Sequence, residues 1–259
     1  MSSFKNKTVM ARIVPNTDDL STNTLYIQGK GGVTANSDSS NLFNGFSKLL
    51  EIENLKLLDT LTVTNMSQMF SGCSSLTSLD VSNFDTSQLT SMKSMFYGCR
   101  NIIHLNVSSF KTTNLTDVTT MFTECASLIT LDLSNFDTSK VTNMSQMFWG
   151  CMRLTDLNVS NFDTLNVTNM SGMFYGCSNL TNLYLNNFNM SNVTNLRVMF
   201  ANCNNLINLD LRKASFDKVE TFDSMFSAVP GLINIITKDE TTKSWLEDKL
   251  GGKGTVTIA

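Results

Sequence analysis

The pair Met-Phe begins at Met69, Met95, Met121, Met147, Met173, Met199 and Met225, always 26 residues apart. Cys73, Cys99, Cys125, Cys151, Cys177 and Cys203 keep the same step, as do Phe84, Phe110, Phe136, Phe162 and Phe188. A 26-residue unit cannot bury an apolar face on its own. Stacked copies can, so the period dictates a solenoid in which each unit contacts its neighbours in sequence.

One unit, residues 63–88, reads VTNMSQMFSGCSSLTSLDVSNFDTSQ. Val63, Met66, Met69, Phe70 and Cys73 recur at the spacing of one helix face, with Thr64 able to cap the start and Gly72 suited to the end. Leu76, Leu79, Val81 and Phe84 then follow the spacing L-x-x-L-x-L of a leucine-rich strand and its exit. NFDTS reads as a turn in which Asn and Asp bond nearby backbone. The expected fold is an α/β solenoid: a leucine-rich repeat, curved right-handed stack with a parallel concave β-sheet and short helices on the convex side.

Seven Met-Phe units are visible, and a degenerate eighth, NLFNGFSKLLEIENLKLLDT at residues 41–60, precedes them with Phe46 at the cysteine position. Val229 takes that position in the last unit. Residues 1–40 are expected to form an N-terminal β cap, with strands at 8–14 and 24–28. Residues 41–236 form the solenoid, and residues 237–259 a C-terminal cap of one short helix and a last strand.

The units resemble those of the BspA-like leucine-rich repeat proteins, on SNFDTSKVTNMSQMFWGCMRLTDLNVSNFDT at residues 134–164 and its neighbours. The resemblance covers roughly residues 41–236. It implies a bacterial surface protein, secreted or displayed, with a role in adhesion to a host or cell-surface protein. The start MSSFKNKTVMARIVP lacks the apolar stretch of a signal peptide, and GTVTIA is no anchor. Either the protein stays in the cytoplasm or its export signal has been removed.

Charge and composition exclude some classes. A net charge of −3 with 16% charged residues gives no concentrated basic face for nucleic acid. No run approaches the roughly 18 apolar residues of a spanning helix, so membrane insertion is not expected. The single histidine, His104, lies mid-strand on the polar side, which leaves a catalytic triad little to build on. The chain is read as non-enzymatic. The cysteines sit one per unit at an apolar slot that also accepts Phe and Val, so buried thiols are favoured over adjacent-rung disulfides and over metal ligation. No cofactor is expected. GKGG at residues 29–32 reads as a turn in the cap rather than a phosphate loop.

Candidate binding residues are the outward letters of the strand. One column holds Ser78, His104, Thr130, Asp156, Asn182 and Asn208. A second holds Asp80, Asn106, Asp132, Asn158, Tyr184 and Asp210. A third holds Ser82, Ser108, Ser134, Ser160, Asn186 and Arg212. The columns diversify toward the C-terminal end, where Asp156, Tyr184, Asp210 and Arg212 are expected to cluster; Tyr and Arg are favoured at binding hot spots. The selected partner-binding set is His104, Asp132, Asp156, Asn158, Asn182, Tyr184, Asn186, Asp210 and Arg212. A solvated polar face with no partner is the competing reading. The residue after Met-Phe gives a second candidate on the flank, Tyr97, Trp149 and Tyr175; Trp149 and Tyr175 form either an exposed patch or a packed pair between rungs. A protein partner is the leading expectation. A glycan or another repetitive surface is the alternative, and sequestration of a host factor inside the cell a further one.

Overall fold

The computed structural model describes residues 10–28 and 32–259. Residues 8–9 of the first expected strand and residues 29–31 of the expected cap turn lie outside them. Eight phenylalanine rings, Phe43, Phe70, Phe96, Phe122, Phe148, Phe174, Phe200 and Phe226, run down the interior with neighbouring centroids 5.2–5.9 Å apart. They mark eight stacked turns of a solenoid. Its core is one continuous cluster of the repeated Val, Leu, Met, Phe and Cys side chains, most of them fully buried.

The strand face carries β6 (Thr130–Asp132), β7 (Asp156–Asn158), β8 (Asn182–Tyr184), β9 (Asn208–Asp210) and β10 (Asn234–Thr237). All their pairings are parallel, with residues one repeat apart facing each other, such as Leu183 and Leu209. The sheet is not continuous. β6 pairs β7, and β8, β9 and β10 form a separate sheet, while Ser78 and Asn106 lie outside any strand. Three-residue rungs offer few ladder bonds each, so the register is set by the interleaved leucines of the core.

The expected convex helices are absent from the described repeats. In their place the Met-Phe segment is a coil whose N–H groups alternate in destination. Gln68, Phe70 and Gly72 donate to Lys93, Met95 and Tyr97 of the next unit at 2.8, 2.9 and 2.7 Å. Met69, Ser71 and Cys73 close local turns onto Met66, Gln68 and Phe70. Gln68 and Gly72 take left-handed backbone, φ 58° and 73°, and the same two positions do so in the following units. A helix would satisfy these groups internally, but an isolated helix of about ten residues is marginal. The rung-to-rung ladder uses the same donors while keeping Val63, Met66, Met69, Phe70 and Cys73 directed inward.

Two buried polar ladders reinforce the stack. The Thr86 hydroxyl donates to the Lys111 carbonyl at 3.1 Å and accepts from the Lys111 N–H at 2.7 Å, and Thr60, Thr138 and Thr164 donate across the same junction in their units. Each cysteine thiol donates to a phenylalanine carbonyl one unit back, from Cys73 on Phe43 to Cys203 on Phe174, at 3.1–3.2 Å. All six cysteines are free and buried. Burial pushes the thiols of Cys73, Cys151 and Cys203 up to about 12.

At the N-terminal end β1 (Met10–Pro15) pairs antiparallel with β2 (Asn23–Gln28), which lies parallel to β4 (Leu49–Glu53) of the first unit. In a separate two-stranded sheet β3 (Val33–Thr34) pairs parallel with β5 (Leu58–Asp59). At the other end α1 (Glu240–Leu250) is capped by Asp239 in a capping box with Thr242, and Gly251 ends it in left-handed backbone. Trp245 stacks on Phe216 at 4.2 Å, and β11 (Thr255–Ile258) pairs parallel with β10 as a last rung. No helix among the described residues is long and apolar enough to cross a membrane.

Candidate functional site

The strand face presents the expected columns to solvent. Ser78, His104, Thr130, Asp156, Asn182 and Asn208 are exposed, as are the residues of the third column. Much of the second column serves the fold. Asp80, Asn106, Asp132 and Asn158 each accept, at 2.9–3.1 Å, the N–H of the serine two residues on. This closes the turn that leaves the strand. The Ser82 hydroxyl and N–H hold Asp80 below its ordinary range, and Ser134 does the same for Asp132. The Asp/Asn letter at this position is therefore a turn requirement, and Asp132 and Asn158 are partly committed to it.

Tyr184 is the exception. Its phenol cannot bridge back to the turn as Asp and Asn do, and the side chain is 63% exposed on β8, the edge strand of the longest sheet on this face. Beside it Asn208 donates from its amide to Asn182 at 2.7 Å, and Asn182 donates to Thr181 at 3.0 Å. Asn234 continues that column and accepts from Thr255 at 2.7 Å. The result is a tied amide platform with one aromatic ring standing next to it.

The expected C-terminal cluster is only partly assembled. Tyr184 faces Asp210 across β8–β9. Asp210 is only 5% exposed and takes both Arg212 Nε and Nη2, at 3.0 and 2.6 Å. It also accepts the Arg212 N–H. Asp210 is therefore an internal counter-charge, buried between the Tyr184 and Ile236 rungs, and offers no free contact to a partner; this corrects its place in the candidate set. Arg212 keeps an exposed edge, with a side chain 46% accessible. Asp156 lies on β7, which does not pair with β8, so it is not part of the same sheet. His104 is exposed and bridges only to Thr130. Asn186 is exposed at the exit of β8.

On the flank, Trp149 and Tyr175 stack face to face, centroids 3.7 Å apart and planes within 13°. Both are half-buried, which identifies a packed pair between rungs. Gly172 makes room for it: a Cβ there would meet Trp149 Cε3 at 2.6 Å. Tyr97 is 42% exposed but separated from Trp149 by the rung of buried Thr123, so the three aromatics form no single patch. Ile207, 46% exposed beside Asn208, was missed from sequence. No letter of the repeat marked it out, because Ile103 and Ile129 share the position with Thr77, Thr155 and Thr181 in other units. Among the described residues no three His, Cys, Asp or Glu side chains group so as to hold a metal ion.

A family model described as "Mycoplasma protein of unknown function, DUF285" matches residues 37–151 and again residues 125–238. A solved leucine-rich repeat protein from Bacteroides ovatus ATCC 8483 aligns over 99% of this chain and 76% of its own, at 13% identity and a TM-score of 0.46. None of the curated proteins compared is similar to this chain in sequence.

Proposed function

This chain belongs to the DUF285 family, and we propose that it is a non-catalytic binding module that docks a protein partner on the C-terminal half of its strand face. The observation that carries the reading is Tyr184. Five neighbouring units place Asp or Asn at this position, and four of those side chains visibly close their own turn onto a serine N–H. The unit at Tyr184 gives that bond up for an exposed aromatic ring. Tyrosine, with an apolar ring and a polar tip, is a residue type that anchors protein interfaces. Asn182, Asn186, Asn208 and the free edge of Arg212 give the same end of the strand face polar groups, the composition of an interface rim.

The resemblance to BspA-like proteins supports an adhesin-like role at the cell surface, with a host or cell-surface protein as partner. The test substitutes Tyr184→Asp, which restores the repeat's own letter and its turn bond. Affinity capture from cell-surface and cytosolic fractions, quantified against the parent chain, should lose one specific protein at least about tenfold while thermal stability is unchanged or higher. Arg212→Ala is the wrong probe, because it strips the counter-charge from buried Asp210 and destabilises the rung. Equal capture by both chains would remove Tyr184 from the interface. Retention of a polysaccharide in place of a protein would favour the glycan reading.

A further inference from the structure

The Met-Phe ladder has a direction, and its last row of donors is open. At every junction the alternate N–H groups of one unit point to the carbonyls of the next. Leu196, Val198, Phe200 and Asn202 donate to Thr221, Asp223, Met225 and Ser227 at 2.7–3.0 Å. The corresponding donors of the final unit are Phe222, Ser224, Phe226 and Ala228. Among the described residues none of these four N–H groups has an acceptor. Ser224 and Ala228 nevertheless keep φ of 57° and 55°, against 50° and 60° at Val198 and Asn202. The row therefore has the backbone shape of an interior rung.

The C-terminal cap closes the strand side and leaves this side uncovered. β11 completes the sheet on β10, and Trp245 of α1 lies over Phe216 with its edge to Phe222. Beyond them a cleft of about 490 Å³ is lined by Phe222, Ser224, Phe226, Asp248, Lys249 and Lys253. Two lysine stems cross it: Lys249 Nζ sits 4.2 Å from the Phe222 ring centre, and Lys253 Nζ 3.5 Å from the Phe226 carbonyl. Long cationic side chains of this kind cover apolar surface reversibly. Four aligned donors, three of them on residues that line this cleft, are a template for added backbone, in the way that an open sheet edge is.

What fits such a row is shown by the chain itself at each preceding junction: a Met-Phe turn segment, with carbonyls on alternate residues and small polar residues between its apolar ones. We propose that the C-terminal end of the turn flank docks one segment of this type from a partner polypeptide, which adds to the solenoid as a further rung. The site is separate from the Tyr184 face and stands or falls independently of it.

The test uses the full ¹⁵N-labelled chain and the peptide VTNMSQMFSGC, residues 63–73. In the free chain the amides of Phe222, Ser224, Phe226 and Ala228 should exchange with solvent at least about 100-fold faster than those of Leu196, Val198, Phe200 and Asn202. The peptide should shift and protect those four amides with a dissociation constant of roughly 1 mM, the affinity of four ordinary hydrogen bonds. A scrambled peptide of the same composition should do neither. The proposal fails if the four amides are already protected, if the repeat peptide leaves them unmoved, or if the scrambled peptide acts equally. It also fails if concentrating the chain alone protects them, which would assign the row to a second copy.

Discussion

Gly172→Ala is a small change whose cost the structure divides into parts. The equivalent position is Gln68, Ser94, Thr120, Gln146, Val198 and Ser224 in other units, all at φ 50–58°. Gly172 sits at φ 60°, so a side chain is sterically allowed by the backbone at the usual left-handed penalty of about 1 kcal/mol. Here the added Cβ also lands 2.6 and 2.7 Å from Trp149 Cε3 and Cζ3. The indole must move and surrender its stack on Tyr175, worth about 0.5–1.5 kcal/mol beyond the area it buries. The expected loss is about 2–3 kcal/mol in the parent chain. In a Trp149→Thr background, which copies Thr123 one rung away, the clash is gone and only about 1 kcal/mol remains. Denaturant unfolding of the four chains closes a double-mutant cycle with a coupling of about 1–2 kcal/mol. Near-UV dichroism should report the broken stack. An equal cost in both backgrounds would mean that glycine is present for backbone reasons alone, and would refute the argument.

Thr86→Val keeps the shape but leaves the partly buried N–H and carbonyl of Lys111 without their partner, and should cost about 2 kcal/mol in unfolding, the low end of roughly 1–3 for each orphaned group. A cost under about 1 kcal/mol would show the threonine ladder to be dispensable. The native thiols should be silent to an aromatic disulfide reagent at pH 8 and all six should react once denaturant is added. Because burial raises the folded thiols, to about 12 at Cys73, Cys151 and Cys203, their stabilisation is full below the unfolded value near 8.5 and is lost as pH rises from there toward 12. A stability that holds flat from pH 8 to pH 11 would contradict the buried ladder.

The repeat made the stack and its interior legible, because Met, Phe, Leu and Cys at fixed phase leave few ways to bury them. The convex conformation was misread for the same reason. Val63, Met66, Met69, Phe70 and Cys73 point inward equally well from a helix or from a ladder coil, and periodicity alone does not separate the two. The glycines at positions 72, 98, 150 and 176 were the available sign, since left-handed backbone within each copy fits a coil better than a helix end. The second column was read as outward binding letters; its Asp/Asn-x-Ser spacing was the available sign of a turn, and the departure at Tyr184 is what gives that residue weight. The Asp210–Arg212 pair was not legible as structure. Its burial depends on the register of β9 against β10, which brings Ile236 alongside. The stacking of Trp149 on Tyr175 was open from sequence, and Gly172 decides it only once the ring is placed.

The most direct measurement of partner docking is photo-crosslinking from the proposed contact. Benzoylphenylalanine is placed in separate chains at Tyr184 and at Tyr97, which is 42% exposed on the flank. Each chain is irradiated with intact target cells and the adducts are identified by mass. The account predicts one discrete protein adduct from position 184 and none from position 97. An adduct from position 97 alone, or the same mixture from both, would contradict docking on the strand face.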